Sequence, residues 1–394
     1  MKRLWSVISL LVVLSMLVVS CVVPPAAAPA APAAAEATAV PVVEPTVAPA
    51  AEPTVAPVVE PTAVPEPEPT AAPAAEELPR DTVIAVKTDA DPVLDGVGDD
   101  AGWANAPVAS FEVNKGANSG ETVIDIQSIY TDEMIHFLVS WADPTESFVR
   151  SPWVKQADGT WAKLKDPDDK GGDNNLVYED KMAFIWTINN SIPKFERTGC
   201  NTACHTSKEG DPSAKPYGNK YTDEGMGDIW HWKSVRNLNQ LDDQYLDSVQ
   251  WSADTPEAGR HSDPKEAGGY VDNQTEDKTM PMWMGAADAP KDGAPGYILD
   301  DQKLPFDDSL FVAGDMIPGI VKSMITGDRG DISASWVYAD GKWTLEISRK
   351  LVTGSEFDVQ FSDLTQPYYF GMAAFDNAQV RHAFMQRPGT LIFK

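Results

Sequence analysis

Cysteine is nearly absent from this chain, with three residues among 394, at positions 21, 200 and 204. A fold stapled by several disulfides is therefore excluded. Basic residues are also scarce, 31 Lys and Arg against 59 Asp and Glu, for a formal net charge of −28. That balance argues against nucleic acid and anionic lipid surfaces as partners. Most of it reads as a solvated acidic face, with a docking surface for a basic partner as the lesser alternative. Beyond the first twenty residues no window approaches transmembrane length. There is no P-loop, no dinucleotide-binding fingerprint after a strand and no Gly-x-Ser-x-Gly elbow, and no serine or cysteine stands poised for catalysis. From Val22 to Pro79 there is not one aromatic residue.

What is present at the N-terminus is a targeting signal. Lys2 and Arg3 precede an almost unbroken apolar stretch from Leu4 to Val19, which ends in Val18-Val19-Ser20-Cys21. The stretch has signal-peptide length and is short for a span of about 20 residues. Small and apolar residues leading into Cys21 form a lipobox, so residues 1–20 are expected to be removed and the Cys21 thiol to carry the lipid. An ordinary secretory signal with an incidental cysteine is the alternative. Residues 21–79 follow, and from Val22 to Glu77 they are Ala, Pro, Val, Thr and Glu alone, with Glu-Pro-Thr repeating every eight residues at Glu44, Glu52, Glu60 and Glu68. Such a segment has no large side chains to bury, and a disordered stalk is expected. Extended at about 3.1 Å per residue, it would reach over about 100 Å. The expected location is the outer face of a bacterial cytoplasmic membrane, or the cell surface.

Residues 80–394 are long enough for a sizeable core. Short runs rich in β-branched and aromatic residues are expected as strands at Thr82–Lys87, Val108–Val113, Val123–Tyr130, Met134–Trp141, Met182–Ile188, Ile332–Ala339, Lys342–Ile347, Tyr368–Phe375 and Thr390–Phe393. Ala339-Asp340-Gly341-Lys342 supplies a hairpin turn between two of them. The fold class is mainly β, an antiparallel sandwich. Between Ile192 and Gly330 the chain is rich in Gly, Pro, Asp and Met and is expected to form long loop insertions around a cofactor. One or two helical turns are expected at Asp228–Asn239. The Asp-rich run from Asp166 to Asp173 lacks calcium-ligand spacing and reads as a solvated loop. Met280-Pro281-Met282-Trp283-Met284 reads as gap-filling methionine or the lining of a cofactor edge.

The chemistry lies in Gly199-Cys200-Asn201-Thr202-Ala203-Cys204-His205. A c-type haem attachment site is Cys-x-x-Cys-His, two thiols to add to the vinyl groups and a histidine to ligate iron. Here the spacing is one residue longer, and the requirement is met if the extra residue bulges out. A simple Cys200–Cys204 disulfide does not account for the adjacent His205, and a zinc site lacks further ligands close in sequence. The expected cofactor is one haem c, or haem b if the thioethers do not form.

A family resemblance rests on several stretches: Val93-Leu94-Asp95-Gly96 with Asp99-Asp100-Ala101-Gly102-Trp103, Ile135–Asp143, the Cys200–His205 motif, Met226-Gly227-Asp228-Ile229-Trp230-His231-Trp232-Lys233, and Phe375-Asp376-Asn377-Ala378 followed by His382. Together they resemble the haem-binding domain related to the ethylbenzene dehydrogenase γ subunit and cytochrome c-552. They are also similar to carbohydrate-binding-9 and DOMON-like sandwiches. The resemblance implies haem held at one end of a β-sandwich, with methionine and lysine ligands in the b-type members. Met226 matches the methionine position, and His382 stands where the lysine would. His205 with His382 would make a bis-histidine site, and His205 with Met226 a His/Met site. His231 and Lys233 are candidates for contacts to the haem propionates.

The expected function is therefore electron transfer, not an enzyme activity of its own. A lipid-anchored cytochrome would exchange electrons with redox partner proteins, and the resemblance implies a molybdenum/iron–sulfur oxidoreductase of the DMSO reductase class. Two alternatives remain open: a haem-free carbohydrate-binding-like surface module with a Cys200–Cys204 disulfide, and an enzyme using five-coordinate haem.

Overall fold

Alternation decides which side chains form the interior. In Met134–Ala142 the residues Ile135, Phe137, Val139 and Trp141 are all buried, while Leu138 and Ser140 between them are less so. A strand with that period can bury one face and leave the other to solvent or to a second layer. The computed structural model describes residues 81–116, 120–168, 177–203, 221–250 and 252–394. Cys21, Cys204 and His205 lie outside the described residues.

One large sheet has thirteen strands. In chain order they are β1 (Thr82–Lys87), β2 (Ala109–Asn114), β3 (Thr122–Tyr130), β4 (Met134–Ala142), β5 (Lys181–Thr187), β6 (Gly227–Lys233), β7 (Asp242–Leu246), β8 (Arg260–Ser262), β9 (Ser333–Ala339), β10 (Lys342–Lys350), β11 (Tyr368–Phe375), β12 (Ala383–Met385) and β13 (Gly389–Phe393). Hydrogen bonding runs β8-β7-β6-β5-β11-β12-β2-β3-β4-β10-β9, with β13 paired to β11. Strand β1 bridges β13 and β3, parallel to both, and the other pairs are antiparallel.

The two halves of this sheet pack face to face as a β-sandwich. Met182, Phe184 and Trp186 of β5, Trp230 and Trp232 of β6 and Phe370 of β11 meet Ile124 of β3, Phe137 and Trp141 of β4 and Trp343 of β10 in one core. Phe137 sits 5.7 Å, centroid to centroid, from Trp230, and Trp141 lies 5.4 Å from Trp232. Both pairs meet edge to face, the arrangement aromatic quadrupoles favour.

All nine strands expected from sequence are present, with ends shifted by a residue or a few. The insertion between Ile192 and Gly330 is more ordered than expected. It contributes β6, β7 and β8, and further short strands such as Ala267–Asp272 paired with Ile320–Thr326. The helical turns expected at Asp228–Asn239 are corrected: Gly227–Lys233 is a strand, and every one of its residues is buried. A strand covered on both faces has no hydrophobic alternation to betray it. No helix among the described residues is long and apolar enough to cross a membrane.

Candidate functional site

Strand alternation sends Phe184, Trp230 and Met372 into the core and turns Ala183, Ile185, Ile229, His231, Ala373 and Phe375 to the opposite face of the same sheet. On that face the register is direct: His231 lies beside Ala183, Ala183 beside Ala373, and Ala373 beside Phe384. A second apolar cluster covers it, in which Ile192, Phe195, Cys200 and Ala203 pack on Ile185, Ile229 and Leu246. Between sheet and cover lies a small cavity whose lining includes Cys200, His231, Arg260, Phe375 and His382. The floor is made of small residues, Ala183 and Ala373, so a flat group can approach the backbone there.

Cys200 reaches this floor through a tight turn. The short helix Phe195–Thr198 runs into the 3-10 turn Gly199–Thr202. Thr202 Oγ1 donates to the Gly199 carbonyl, closing the turn. Gly199 has a φ of +49°, where a side chain would be strained. Gly371 on β11 is required for a different reason. A Cβ at that position would stand 2.4 Å from Cys200 Sγ, so the thiol lies directly on the strand backbone.

His231 is fully enclosed on β6. Its Nδ1 lies 3.0 Å from Gln244 Oε1 on β7, and Gln244 Nε2 turns to Asp242 Oδ2 at 3.4 Å. Because the amide must face its NH2 to the carboxylate, its oxygen faces the imidazole, and Nδ1–H is the donor. Burial holds the His231 pKa well below its ordinary value, and the charges of Lys233, Arg260 and Lys181 add to that. The ring is therefore neutral, with its remaining lone pair on Nε2. That atom is buried and has no hydrogen-bond partner among the described residues. A histidine fixed through one nitrogen and bare at the other is the arrangement seen in metal-ligating imidazoles.

His382 approaches from the β11–β12 connection. It is 8% exposed, and its ring centroid is 4.2 Å from that of Phe375, which in turn is 5.8 Å from His231. The connection is pinned where Asn377 N donates to Asp180 Oδ1 and Tyr178 N donates to Asn377 Oδ1. Lys181 Nζ lies 4.1 Å above the Phe375 ring and donates to the Gln379 carbonyl.

The structure thus brings Cys200, His231 and His382 around one cavity. Met226 is half-buried before β6, where its backbone bonds to Ser191 and Ile188, and it does not line the cavity. Lys233 is buried in an ion pair with Asp242, beneath Tyr270, and does not line it either. Burial and the Lys233 and Arg329 charges oppose each other at Asp242, and the charges prevail, setting its pKa at about 2. Sequence reasoning missed Arg260, Lys181, the Ala183–Ala373 floor and the need for Gly371 beneath Cys200. The Gly-Met-Ala-Ala run of β11 was a usable signal, since small residues inside a strand mark close approach.

Among solved structures, a family 9 carbohydrate-binding module from Caldicellulosiruptor kristjanssonii in complex with cellotriose aligns at 8% identity and a TM-score of 0.29, covering 79% of this chain and 93% of that one. A putative carbohydrate-binding protein from Bacteroides uniformis aligns at 10% identity and a TM-score of 0.30, covering 79% and 99%. No curated protein matches the chain at a significant level. The model of one family, described as ethylbenzene dehydrogenase, matches residues 99–387, which leave out β1 and β13 of the large sheet and include every strand that lines the cavity. By that match this chain belongs to the ethylbenzene dehydrogenase family.

Proposed function

We propose that the domain holds one haem on the outer face of the sheet and serves as a lipid-anchored, extracytoplasmic electron-transfer protein. The observation that carries this reading is the buried, unpartnered Nε2 of His231 in a cavity that Cys200 and His382 also line. The chemistry of that donor set fits the group. Cys200, with Cys204, would form the thioethers, and His205 follows directly on the second thiol. His231 and His382 offer imidazole nitrogens for iron, and His231 is the better prepared because Gln244 fixes its tautomer. Arg260 brings positive charge to the cavity wall, suited to propionate carboxylates. Ala183 and Ala373 leave room for a planar edge.

Bound haem would supply one-electron exchange at iron. The chain's own residues exclude water from that centre by burial and hold the His231 imidazole neutral. Donor and acceptor would be other proteins. The family relation favours an oxidoreductase of the molybdenum/iron–sulfur class as partner. A lipid on Cys21 and a stalk over residues 22–79 would keep the domain at high local concentration near partners on the same surface.

The test is a pyridine haemochrome spectrum after denaturing electrophoresis and acid-acetone extraction, on protein matured in a host with cytochrome c assembly. The expected result is pigment that stays with the chain, with the α-band of a thioether-linked haem. Freely extracted haem would overturn the thioethers at Cys200 and Cys204. A colourless protein would overturn the cytochrome reading and leave the haem-free binding module.

A further inference from the structure

On the core side of the same strands lies a second constellation. Asp228 of β6, Asp243 of β7 and Asp358 of the β10–β11 connection are 0–1% exposed, and each offers a carboxylate oxygen within 4.8 Å of the others. Each carboxylate is held by one oxygen and bare at the other. Asp228 Oδ2 accepts from Trp230 Nε1 at 3.0 Å and from Val359 N at 2.9 Å. Asp358 Oδ2 accepts from Thr353 Oγ1 and from Arg349 Nη2 at 3.1 Å. Asp243 Oδ1 accepts from Gln244 N at 3.0 Å. The partner oxygens, Asp228 Oδ1, Asp358 Oδ1 and Asp243 Oδ2, are buried without a hydrogen-bond partner. Asp263, 3% exposed, adds two more such oxygens, and Asp331 adds Oδ1.

Leaving buried charged oxygens unpaired is costly, and buried Arg349 brings one positive charge to the whole group. A different acidic trio shows the contrast. Asp143, Asp180 and Asp376 also approach one another, yet Asp180 accepts from Ser147 N, Trp343 Nε1 and Asn377 N. None of these three has a bare buried oxygen. Closely spaced carboxylates, each anchored through one oxygen and bare at the other, offer what a hard cation needs, and six to eight oxygen ligands are usual for calcium. The set has no histidine or cysteine to favour zinc.

We propose that Asp228, Asp243 and Asp358 bind a calcium ion, with Asp263 and Asp331 supplying further oxygens. The ion ties the β10–β11 connection to β6 and β7, the two strands that carry His231 and Gln244 on their other face. The site is independent of haem.

The test uses the full chain stripped with EGTA. Calorimetric titration with CaCl2 is expected to show saturable binding, and about 1 mM CaCl2 to raise Tm by about 5 °C or more. MgCl2 is expected to do less, because magnesium demands a stricter octahedron. Asp243→Asn should abolish the shift and Asp376→Asn should leave it intact. In EGTA, Asp243→Asn should be at least as stable as the parent, since it removes one of several converging charges, so its lost response is not misfolding. In the parent chain Tb3+ should give luminescence sensitised by Trp230 and displaced by Ca2+. Absence of calcium binding, a full shift in Asp243→Asn or equal stabilisation by MgCl2 would each overturn the assignment.

Discussion

Gly371 and Cys200 show how one residue type can decide a site. The Cys200 thiol rests where any side chain at 371 would project, and the small floor beside it is Ala183 and Ala373. Gly371→Val is expected to displace the Cys200 turn, to cost about 1–3 kcal/mol in urea unfolding, and to lower haem content per chain. Unchanged stability and pigment in that variant would contradict the packing. His231 carries a related lesson. Its sequence neighbours, two tryptophans, suggested packing or a propionate contact. Only Gln244, thirteen residues on and across the ladder, reveals a fixed tautomer and a bare Nε2.

At the scale of elements, β4 and β6 stand at opposite ends of legibility. Strand β4 alternates clearly and was expected almost to the residue. Strand β6 is buried on both faces, with Trp230 and Trp232 toward the core and Ile229, His231 and Lys233 toward the cover, so its period was hidden and a helix was expected in its place. The two strands meet through Phe137, whose ring lies 5.7–5.9 Å from Phe184, Trp186 and Trp230. Phe137→Ala is expected to destabilise the sandwich by about 3–5 kcal/mol, read from the urea midpoint. A loss below about 1 kcal/mol would mean the two halves do not depend on that contact.

For the whole molecule the acidic balance has a consequence in pH. Burial, joined by the charges of Asp180 and Asp376, raises Asp143 to about 8. Burial raises Asp180 to about 7 against the Ser147 and Asn377 hydrogen bonds. Carboxyls raised in the fold bind protons that the unfolded chain has released. Their stabilisation is therefore full below about pH 4 and is lost as pH rises through about 7 to 8. Chelator-treated protein is expected to have a lower urea midpoint at about pH 8.5 than at about pH 5, and Asp143→Asn to flatten part of that slope. A midpoint that rises over this interval would contradict the assignment. Asp242 works in the other direction: its pKa of about 2 makes its ion pairs fail only in strong acid.

By itself the sequence determined the local and the periodic: an apolar stretch running to Cys21, an aromatic-free segment after it, most strands of the sandwich, and the cysteine motif at 200–205. Each depends on residues close together in the chain, through composition, alternation or covalent spacing. The tertiary structure alone decided which face of the sheet carries the cavity, that His231 and His382 share it while Met226 and Lys233 do not, and that Asp228, Asp243 and Asp358 converge. These are properties of strand register and of which oxygen or nitrogen is left without a partner. They arise between residues as far apart as Cys200 and His382, a separation at which no local pattern survives.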